Sequence, residues 1–360
     1  MTLAERIAGR IRTGGAITVA EFMAAALQDP EGGYYRRDDP LGRGGDFTTA
    51  PEISQMFGEM LGLWCAADWL TAGRPAPFRL VELGPGRGTL MADALRATAH
   101  VPGFHAAMRL HLVESSPGLR RCQGALLAPF APSWHDRLED VPRGPVWLLA
   151  NEFLDALPVH QMVRTQAGWR ERGVALGPDG ALAFTDTLPA PAELVPACDH
   201  PPGTVVERRP LGEAVAAETA RRIAAEGGGG LFVDYGYAEG QGDTLQAVAE
   251  HARVPVLETP GSVDLSAHVA FADIARAARQ AGAAAWGPVT QGLFLRGLGI
   301  VERADRLAAA RPDARAVLAA ALHRLIGAGA MGTLFKVLAI TPPGAPPPPG
   351  FASTEPGAAP

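Results

Sequence analysis

Val81-Glu82-Leu83-Gly84-Pro85-Gly86-Arg87-Gly88 decides the fold, because it joins the end of an apolar run to a glycine turn and then to a helix-like segment. Glycine permits a positive φ and lets the backbone come close to a ligand, and the free N–H groups at the start of a helix attract polar ligand atoms. This order of elements predicts a nucleotide-like cofactor next to Gly84, Gly86 and Gly88.

Short apolar runs alternate with helix-like segments on both sides of this turn. The runs expected to form strands are 79–83, 109–113, 146–150, 230–234 and 333–340. Alternation of this kind predicts βαβ units, and therefore an α/β fold with a Rossmann-like, mostly parallel sheet.

Two carboxylates narrow the choice of cofactor. Glu114 ends the run Leu110-His111-Leu112-Val113-Glu114, where a doubly wound fold places the acidic partner of the ribose hydroxyls. A nicotinamide cofactor would use the same features, but Glu82, two residues before the glycine turn, would repel a pyrophosphate. An acidic residue there is typical of sites for S-adenosylmethionine (SAM), where it approaches the methionine amino group. We therefore predict SAM; the alternative is that both carboxylates merely end strands at a solvated sheet edge.

Polar residues also follow two later strand runs. Asp136 comes after Ser133-Trp134-His135 and is expected to contact the adenine amino group, although an aspartate there could equally form a local turn. Asn151, Glu152 and Asp155 follow the run 146–150, at a strand end beside the cofactor. We expect Asn151 to contact the cofactor. Glu152 and Asp155 are catalytic candidates, since two carboxylates could hold a guanidinium by charge-assisted hydrogen bonds. The alternative for Asp155 is a helix cap.

A histidine further along the chain is a third catalytic candidate. Asp264 is expected at the start of a helix, within a largely helical stretch 263–282, and His268 one turn later on the same face. His268 could accept a proton from a substrate nitrogen, or it could be a hydrogen-bonded structural residue. The three cysteines are far apart and have no histidine cluster beside them, so no metal is expected.

Composition limits the class of protein and its partners. Hydrophobic residues make up 47% of the 360 residues and charged residues 19%, which is enough for a buried core. A net charge of -6 argues against nucleic acid as a partner. The N-terminus has no secretory signal pattern, and the apolar stretches are interrupted before membrane-spanning length. We expect a cytoplasmic protein without membrane insertion; the sequence leaves the oligomeric state open, with a dimer as one possibility.

Several strings resemble the MidA-like family of SAM-dependent methyltransferases. They are Gly44-Gly45-Asp46-Phe47-Thr48-Thr49-Ala50-Pro51-Glu52-Ile53-Ser54-Gln55, residues 81–90, residues 151–158, Thr290-Gln291-Gly292 and Phe335-Lys336-Val337-Leu338-Ala339. The resemblance covers nearly the whole chain except the proline-rich end. It departs mildly from the family pattern at Ser115-Ser116, where Ile-Ser is usual, and at Leu154, where a second Phe is usual; neither position is a proposed ligand.

The resemblance implies a class I SAM-dependent methyltransferase sheet with an N-terminal helical lid region and an inserted and C-terminal helical subdomain. The corresponding limits are 1–75 for the N-terminal helices and lid loop, 76–260 for the core with an insertion around 160–210, 261–340 for the helical cap and final strands, and 341–360 for a disordered tail. Asp46 and Thr48 then become lid residues over the cofactor. Without the resemblance, the same segment reads as a glycine-rich surface loop.

The family also implies a reaction. Its eukaryotic members are mitochondrial, take part in assembly of respiratory complex I, and methylate an arginine of one of its core subunits. The resemblance therefore implies a protein arginine N-methyltransferase that acts on a respiratory complex I type subunit or on another protein partner. The alternatives are a SAM-dependent enzyme for a small molecule, a non-catalytic SAM-binding assembly factor, and a nicotinamide-dependent oxidoreductase.

Overall fold

The computed structural model describes residues 1–36, 49–198, 200–240, 242–249 and 252–351. The helices within these ranges are α1 (Leu3–Gly14), α2 (Val19–Gln28), α3 (Ala50–Ile53), α4 (Gln55–Thr71), α5 (Thr89–Thr98), α6 (Phe104–Ala107), α7 (Pro117–Leu127), α8 (Pro210–Glu226), α9 (Phe271–Gln280), α10 (Gln291–Gly297), α11 (Ile300–Ala310), α12 (Arg315–Ile326) and α13 (Met331–Leu334).

The strands within the same ranges are β1 (Ile17–Thr18), β2 (Phe78–Leu83), β3 (Met108–Val113), β4 (Ser133–His135), β5 (Val146–Asn151), β6 (His160–Thr165), β7 (Gly168–Leu176), β8 (Leu182–Pro189), β9 (Val205–Arg208), β10 (Gly228–Tyr237), β11 (Gln246–Ala249), β12 (Ala252–Val254), β13 (Asp264–Ser266), β14 (Val269–Ala270), β15 (Ala284–Thr290) and β16 (Phe335–Thr341).

The central sheet has the strand order β15-β16-β10-β5-β2-β3-β4, and β14 extends it by pairing with β10. The strands from β10 to β4 run parallel, whereas β16 is antiparallel to both of its neighbours. The chain therefore fills one side of β2 with β3 and β4 and then crosses to β5 on the other side. Such a reversal opens a crevice at the carboxyl ends of β2 and β5, which is where α/β sheets bind ligands. The predicted Rossmann-like sheet is confirmed.

Helices cover both faces of this sheet, which explains why its central strands are apolar on both sides. On β5, Trp147 and Leu149 pack into one layer with α4 and α5, while Leu148 and Ala150 pack into the other layer with α8 and α9. A strand buried on both faces has its backbone position fixed by packing as well as by hydrogen bonds. The side chains that follow its carboxyl end are therefore held on a rigid base.

A second, antiparallel sheet corresponds to the insertion expected around 160–210. Its order is β1-β7-β6-β9, with β8 paired to β7, and a smaller sheet has the order β12-β11-β13. Leu3, Ile7, Phe22 and Met23 of the first two helices bury their side chains against these sheets rather than against the central one. The domain limits drawn from the sequence stay a prediction.

Two predictions for the second half of the chain were wrong. The stretch 263–282 is helical only in α9, and Asp264 lies in β13, paired antiparallel to β11. Val269 and Ala270 form β14 on β10. Strand partners this distant in sequence leave no local periodicity, so the helical spacing was misleading. The tail expected to be disordered from residue 341 is packed as far as Phe351, which is fully buried. Residues 352–360 lie outside the described residues.

One segment, Pro312–Leu334, is long and apolar enough to cross a membrane by length and composition, with a mean hydropathy of 1.4. In the structure it is divided into α12 and α13 by the turn at 327–330. A single segment of this kind is weak evidence for a spanning helix, and the expectation of no membrane insertion stays a prediction.

The packed C-terminal segment gives a stability prediction. Phe351 contacts the ring of Phe294 at 5.5 Å between centroids, and the indole N–H of Trp64 donates to the carbonyl of Pro349. Because the ring is fully buried, we expect Phe351→Ala to lower the free energy of unfolding by about 3 to 5 kcal/mol. Thermal unfolding would measure this, with Phe184→Ala at a 45% exposed position as the control. Equal melting temperatures for both variants would contradict the packing of residues 342–351.

Candidate active site

The glycine turn after β2 has the backbone that the sequence predicts. Gly84, Gly86 and Gly88 have φ values of 60°, 55° and 87°, in the left-handed region that favours glycine. A Cβ on Gly84 would lie 3.0 Å from the ring of Phe153. Gly88 is the N-cap residue of α5, so the turn ends at a helix N-terminus with free N–H groups.

A cavity of about 800 Å³ opens at the carboxyl ends of β2, β3, β5 and β10. It brings together most of the residues predicted from the sequence: Glu82, Gly84, Gly86, Glu114, Asp136, Asn151, Glu152 and Asp155. Sequence reasoning did not foresee Tyr35 and Leu211 in this lining. Asp46 and Thr48 lie outside the described residues, but the neighbouring Thr49 and Glu52 line the cavity.

Glu82 is a buried carboxyl group with no counter-charge beside it among the residues that the structure describes. Its side chain is 2% exposed, and its Oε2 has no hydrogen-bond partner within the described part of the chain. Burial, with a smaller contribution from Glu114, raises the pKa of Glu82 to about 8. An unpaired buried carboxyl is costly unless a cation reaches it. An ammonium group above the glycine turn, such as that of SAM, would satisfy this need.

Glu114 is held in place by a residue that sequence reasoning missed. Its Oε1 accepts from the backbone N–H of Ser116 at 2.8 Å, and its Oε2 accepts from Gln123 Nε2 at 3.3 Å. The same Gln123 nitrogen donates to the Gly86 carbonyl at 2.7 Å, and Gln123 Oε1 accepts from Trp134 Nε1 at 2.8 Å. Gln123 therefore ties the expected ribose ligand to the glycine turn. The signal available in the sequence was a glutamine on the apolar side of α7, four positions after Leu119 and four before Leu127.

Asp136 lies at the rim of the cavity. Its carboxylate pairs with Arg120 at 2.6 Å, and the side chain is 77% exposed. The loop that follows is fixed by the buried Arg222, which donates to the carbonyls of Val141 and Glu139. The structure thus places Asp136 on a positioned loop at the cavity, and its contact with adenine stays a prediction.

The loop after β5 carries the catalytic candidates. Glu152 has a φ of 48°, a strained value for a non-glycine residue, and its Oε1 accepts from the backbone N–H of Ala50 at 3.1 Å. Burial, and next the charge of Asp155, raise its pKa to about 8. Asp155 Oδ2 accepts from the hydroxyl of Tyr235 at 2.5 Å, while its buried Oδ1 has no partner in the described residues. Since the chain continues to β6 with no intervening helix, Asp155 is not a helix cap.

Asp234, directly after the residues of β10 that pair with β5, positions this loop. Its Oδ2 accepts from the backbone N–H groups of Leu154 and Asp155 at 2.9 and 3.1 Å. Its other oxygen accepts from the N–H of Tyr235 at 2.9 Å. Desolvation by burial, followed by the charges of Asp155 and Glu152, raises the pKa of Asp234 well above its ordinary value. The aspartate at the end of the apolar run 230–234 was the visible signal. From the sequence, Asp234-Tyr235-Gly236-Tyr237 is a second-tier candidate for lining the substrate side, and its role in positioning the loop was not foreseen.

A segment from the N-terminal region crosses the cavity. The hydroxyl of Tyr35 donates to Asp264 Oδ1 at 3.0 Å, and the neighbouring Arg36 donates from Nη1 to the carbonyl of Ser115 at 3.1 Å. Asp264 therefore belongs to the site, but as a strand residue. On the other side of the undescribed stretch, Glu52 Oε1 accepts from the Thr89 hydroxyl at 2.6 Å.

His268 is not part of the cavity lining. Its ring packs edge-on against Tyr235 with centroids 5.4 Å apart, so it lies behind the residue that bonds Asp155. Burial is the largest cause that lowers its pKa. The expected helical face shared with Asp264 is wrong, because His268 follows β13. Its predicted catalytic role has no contact with the cavity to support it. Among the described residues, no group of three or more His, Cys, Asp or Glu side chains could hold a metal.

These features fit SAM. The turn needs glycine for close approach, Glu82 presents an unpartnered buried oxygen to a cation, and Glu114 ends the next strand as a ribose ligand should. The fold and the site define a SAM-dependent methyltransferase of the Rossmann-like class.

The chain belongs to the Methyltransf_28 family of S-adenosyl-L-methionine-dependent methyltransferases, whose family model matches residues 60–289. Its relatives include the proteins named protein arginine methyltransferase NDUFAF7, mitochondrial, from Danio rerio and Mus musculus. The first is 37% identical over 94% of this chain and 86% of its own length. The second is 38% identical over 92% of this chain and 83% of its own length.

Two solved structures from Burkholderia thailandensis share the fold. A COG1565 superfamily member bound to S-adenosyl-homocysteine matches with a TM-score of 0.80 and 30% identity, over 94% of this chain and 91% of its own. A native COG1565 superfamily structure matches with a TM-score of 0.84 and 28% identity, over 98% and 94% of the two chains. The predicted family, enzyme class and cofactor are confirmed.

Gly84 gives the first prediction for this site. We expect Gly84→Val to abolish SAM binding in calorimetry, because a branched side chain at a φ of 60° would be strained and would press on Phe153. The matched control is Gly180→Ala, which has a φ of 79° and nothing within 4 Å of the added Cβ. Micromolar SAM binding by the Gly84 variant would overturn the assignment of the turn.

Glu82 gives a prediction with opposite effects on stability and binding. Because its folded pKa is about 8 against an ordinary 4.5, the carboxyl destabilises the cofactor-free fold increasingly as the pH rises through this window. Glu82→Gln removes that cost, so its gain in melting temperature over the wild type should be larger at about pH 8.5 than at about pH 5.

The same substitution should weaken SAM binding by roughly tenfold to a hundredfold, since a charge-assisted hydrogen bond is lost. The exposed Glu193→Gln should change neither property. An unchanged dissociation constant for Glu82→Gln would rule out its contact with the methionine amino group. A pH-independent gain in melting temperature would rule out a raised pKa.

Proposed function

We propose that the protein transfers a methyl group from SAM to a guanidinium nitrogen of an arginine on a protein partner, such as a respiratory complex I type subunit. The observation that carries this proposal is the excess of carboxylates at one end of the cavity. Glu152, Asp155, Asp234 and Asp264 lie close enough to raise one another's pKa values or those of nearby tyrosines. The nearby cation, Arg209, donates to the carbonyls of Leu157, Ala267 and His268.

The charge balance favours a cationic acceptor. SAM has one net positive charge, from a sulfonium, an ammonium and a carboxylate. One such charge would lie beside Glu82. At the other end of the cavity, burial and neighbouring carboxyl groups raise the pKa values of Glu152 and Asp234, so a second cation there would favour their ionised forms. An arginine side chain would bring a second cation with several N–H donors in a fixed plane. The relatives named protein arginine methyltransferases support the same acceptor.

The chain's own residues would act mainly by positioning. SAM supplies a methyl group on a sulfonium, which a nucleophilic nitrogen can attack in line. Tyr235 holds Asp155 Oδ2 and leaves Oδ1 to accept a guanidinium N–H and then its proton. Ala50 fixes Glu152 in the same way from the opposite wall. Asp234 keeps the backbone of this loop in place.

Two other functions are separable by experiment. A small-molecule methyltransferase would transfer labelled methyl to a metabolite extract and not to protein. A SAM-binding assembly factor would act without turnover. In that case a Glu152→Gln variant that binds SAM but transfers no methyl group would still restore a deletion strain fully. The relatives' names place them in mitochondria, and the cytoplasmic location expected for this chain stays a prediction.

The test is transfer of labelled methyl to an arginine-containing peptide or protein, with mass spectrometry to locate the label. We expect Asp155→Asn to reduce transfer by about a hundredfold or more, because the acceptor loses its partner, while SAM affinity changes little. The exposed Glu193→Gln is the control. Full activity of Asp155→Asn, or equal transfer to a peptide with lysine in place of arginine, would refute the proposal.

A further inference from the structure

The C-terminal helices leave an apolar surface uncovered. The segment Pro312–Leu334 is apolar enough to span a membrane, yet only 22% of its most apolar window is buried. Val317 on α12 is 71% exposed, Leu334 on α13 is 45% exposed, and Leu293 on α10 is 66% exposed. The three helices contact one another. We call α10, α12 and α13 with these exposed side chains the C-terminal face.

This face is basic in an otherwise acidic chain. Within α10, α12 and α13 the charged side chains are Arg296, Arg315 and Arg324, with no Asp or Glu, whereas the whole chain has a net charge of -6. All three arginines are exposed, and none of them has an ion-pair partner among the residues that the structure describes. Arg324 follows Val317 by seven positions, so both lie on one side of α12. The surface therefore offers apolar contacts next to unneutralised positive charge.

The C-terminal face borders the carboxylate end of the cavity. Leu334 directly precedes Phe335, whose ring packs on Tyr235 at 5.4 Å, and Tyr235 bonds Asp155. From the other direction, α12 contacts α3, whose Ala50 bonds Glu152. A polypeptide lying on this face would therefore be next to the residues that hold Asp155 and Glu152 in place.

We infer that the C-terminal face docks an acidic amphipathic helix of the protein that carries the acceptor arginine. Acidic side chains would meet the free arginines, and apolar ones would cover Leu293, Val317 and Leu334. Residues 316, 319 and 320 of α12 are alanines, whose short side chains would let the backbone of a docked helix come close to α12. We choose a protein over a lipid surface because the proposed acceptor is itself a protein side chain. The packing of Leu325 and Ile326 in the core and the bond from Gln291 Nε2 to the Leu325 carbonyl argue only against α12 as a spanning helix. This inference rests on the proposed function.

The test uses three synthetic peptides. The first has one arginine followed by an amphipathic helix of leucine and glutamate, the second has lysine in place of every glutamate, and the third is the arginine segment alone. Fluorescence anisotropy measures binding to the full chain, and labelled SAM measures kcat/KM for methyl transfer. We expect the acidic peptide to bind about tenfold or more tightly than the lysine peptide, with the difference shrinking at high salt.

Two charge-reversal variants make the test specific. Arg315→Glu with Arg324→Glu should remove most of the preference for the acidic peptide and leave transfer to the short arginine peptide unchanged. Arg12→Glu with Arg170→Glu, exposed arginines on α1 and β7, should leave the preference intact. A Leu293→Ser and Leu334→Ser variant, which alters only exposed positions, should weaken binding of the acidic peptide with little dependence on salt.

An unchanged preference in the Arg315 and Arg324 variant would overturn the docking surface. A second result would also overturn it. If this variant abolished binding to vesicles that contain anionic lipid, and had no effect on binding of the peptides, a membrane would be the occupant. Failure of the proposed function looks different: no peptide would be methylated, whatever its flanking charge, while anisotropy would still report whether the acidic peptide binds.

Discussion

The site depends on carboxyl groups that the fold buries close together, with little positive charge beside them in the described part of the chain. Glu82, Glu152, Asp155 and Asp234 all stand at or just beyond the carboxyl ends of parallel strands, where the packing of β2, β5 and β10 fixes their backbones. Burial makes ionisation of these groups costly, the neighbouring like charges add to that cost, and together they raise the pKa values of Glu82, Glu152 and Asp234. These buried carboxyl groups therefore lower the stability of the ligand-free protein, and the binding of cationic ligands offsets that loss.

Much of the site is held together by residues that are not part of the cavity lining. Asp234 holds the loop backbone, Arg209 joins that loop to residues 267 and 268, and Gln123 connects the glycine turn to Glu114. Each of them satisfies backbone carbonyls or N–H groups that would otherwise be unpaired. The carboxyl groups of Glu82 and Asp155 can therefore each keep one oxygen without a hydrogen-bond partner among the described residues, because the backbone around them is held by other contacts.

The sequence predicted the parts of this arrangement that are local. A glycine turn between a strand and a helix, and carboxylates directly after apolar runs, are visible within a few residues, and the structure brings Glu82, Glu114, Asn151, Glu152 and Asp155 into one cavity. The prediction from sequence failed where the local structure depends on contacts between residues that are far apart in the chain. Asp264 became a strand residue through pairing with β11, and the proline-rich end was ordered by Phe294 and Trp64, far away in the chain. Tyr35 could not be foreseen for the same reason.

The hydrogen bond from Trp134 to Gln123 has an optical consequence. Gln123 also contacts Glu114 and the Gly86 carbonyl, so the indole is one residue away from the ribose and glycine-turn ends of the cofactor site. Indole emission is sensitive to the polarity and hydrogen bonding of the ring nitrogen. Of the chain's six tryptophans, Trp64, Trp69, Trp147 and Trp286 are buried, and Trp169 lies in β7, outside the cavity lining. A change in tryptophan emission on cofactor binding is therefore expected to come mainly from Trp134.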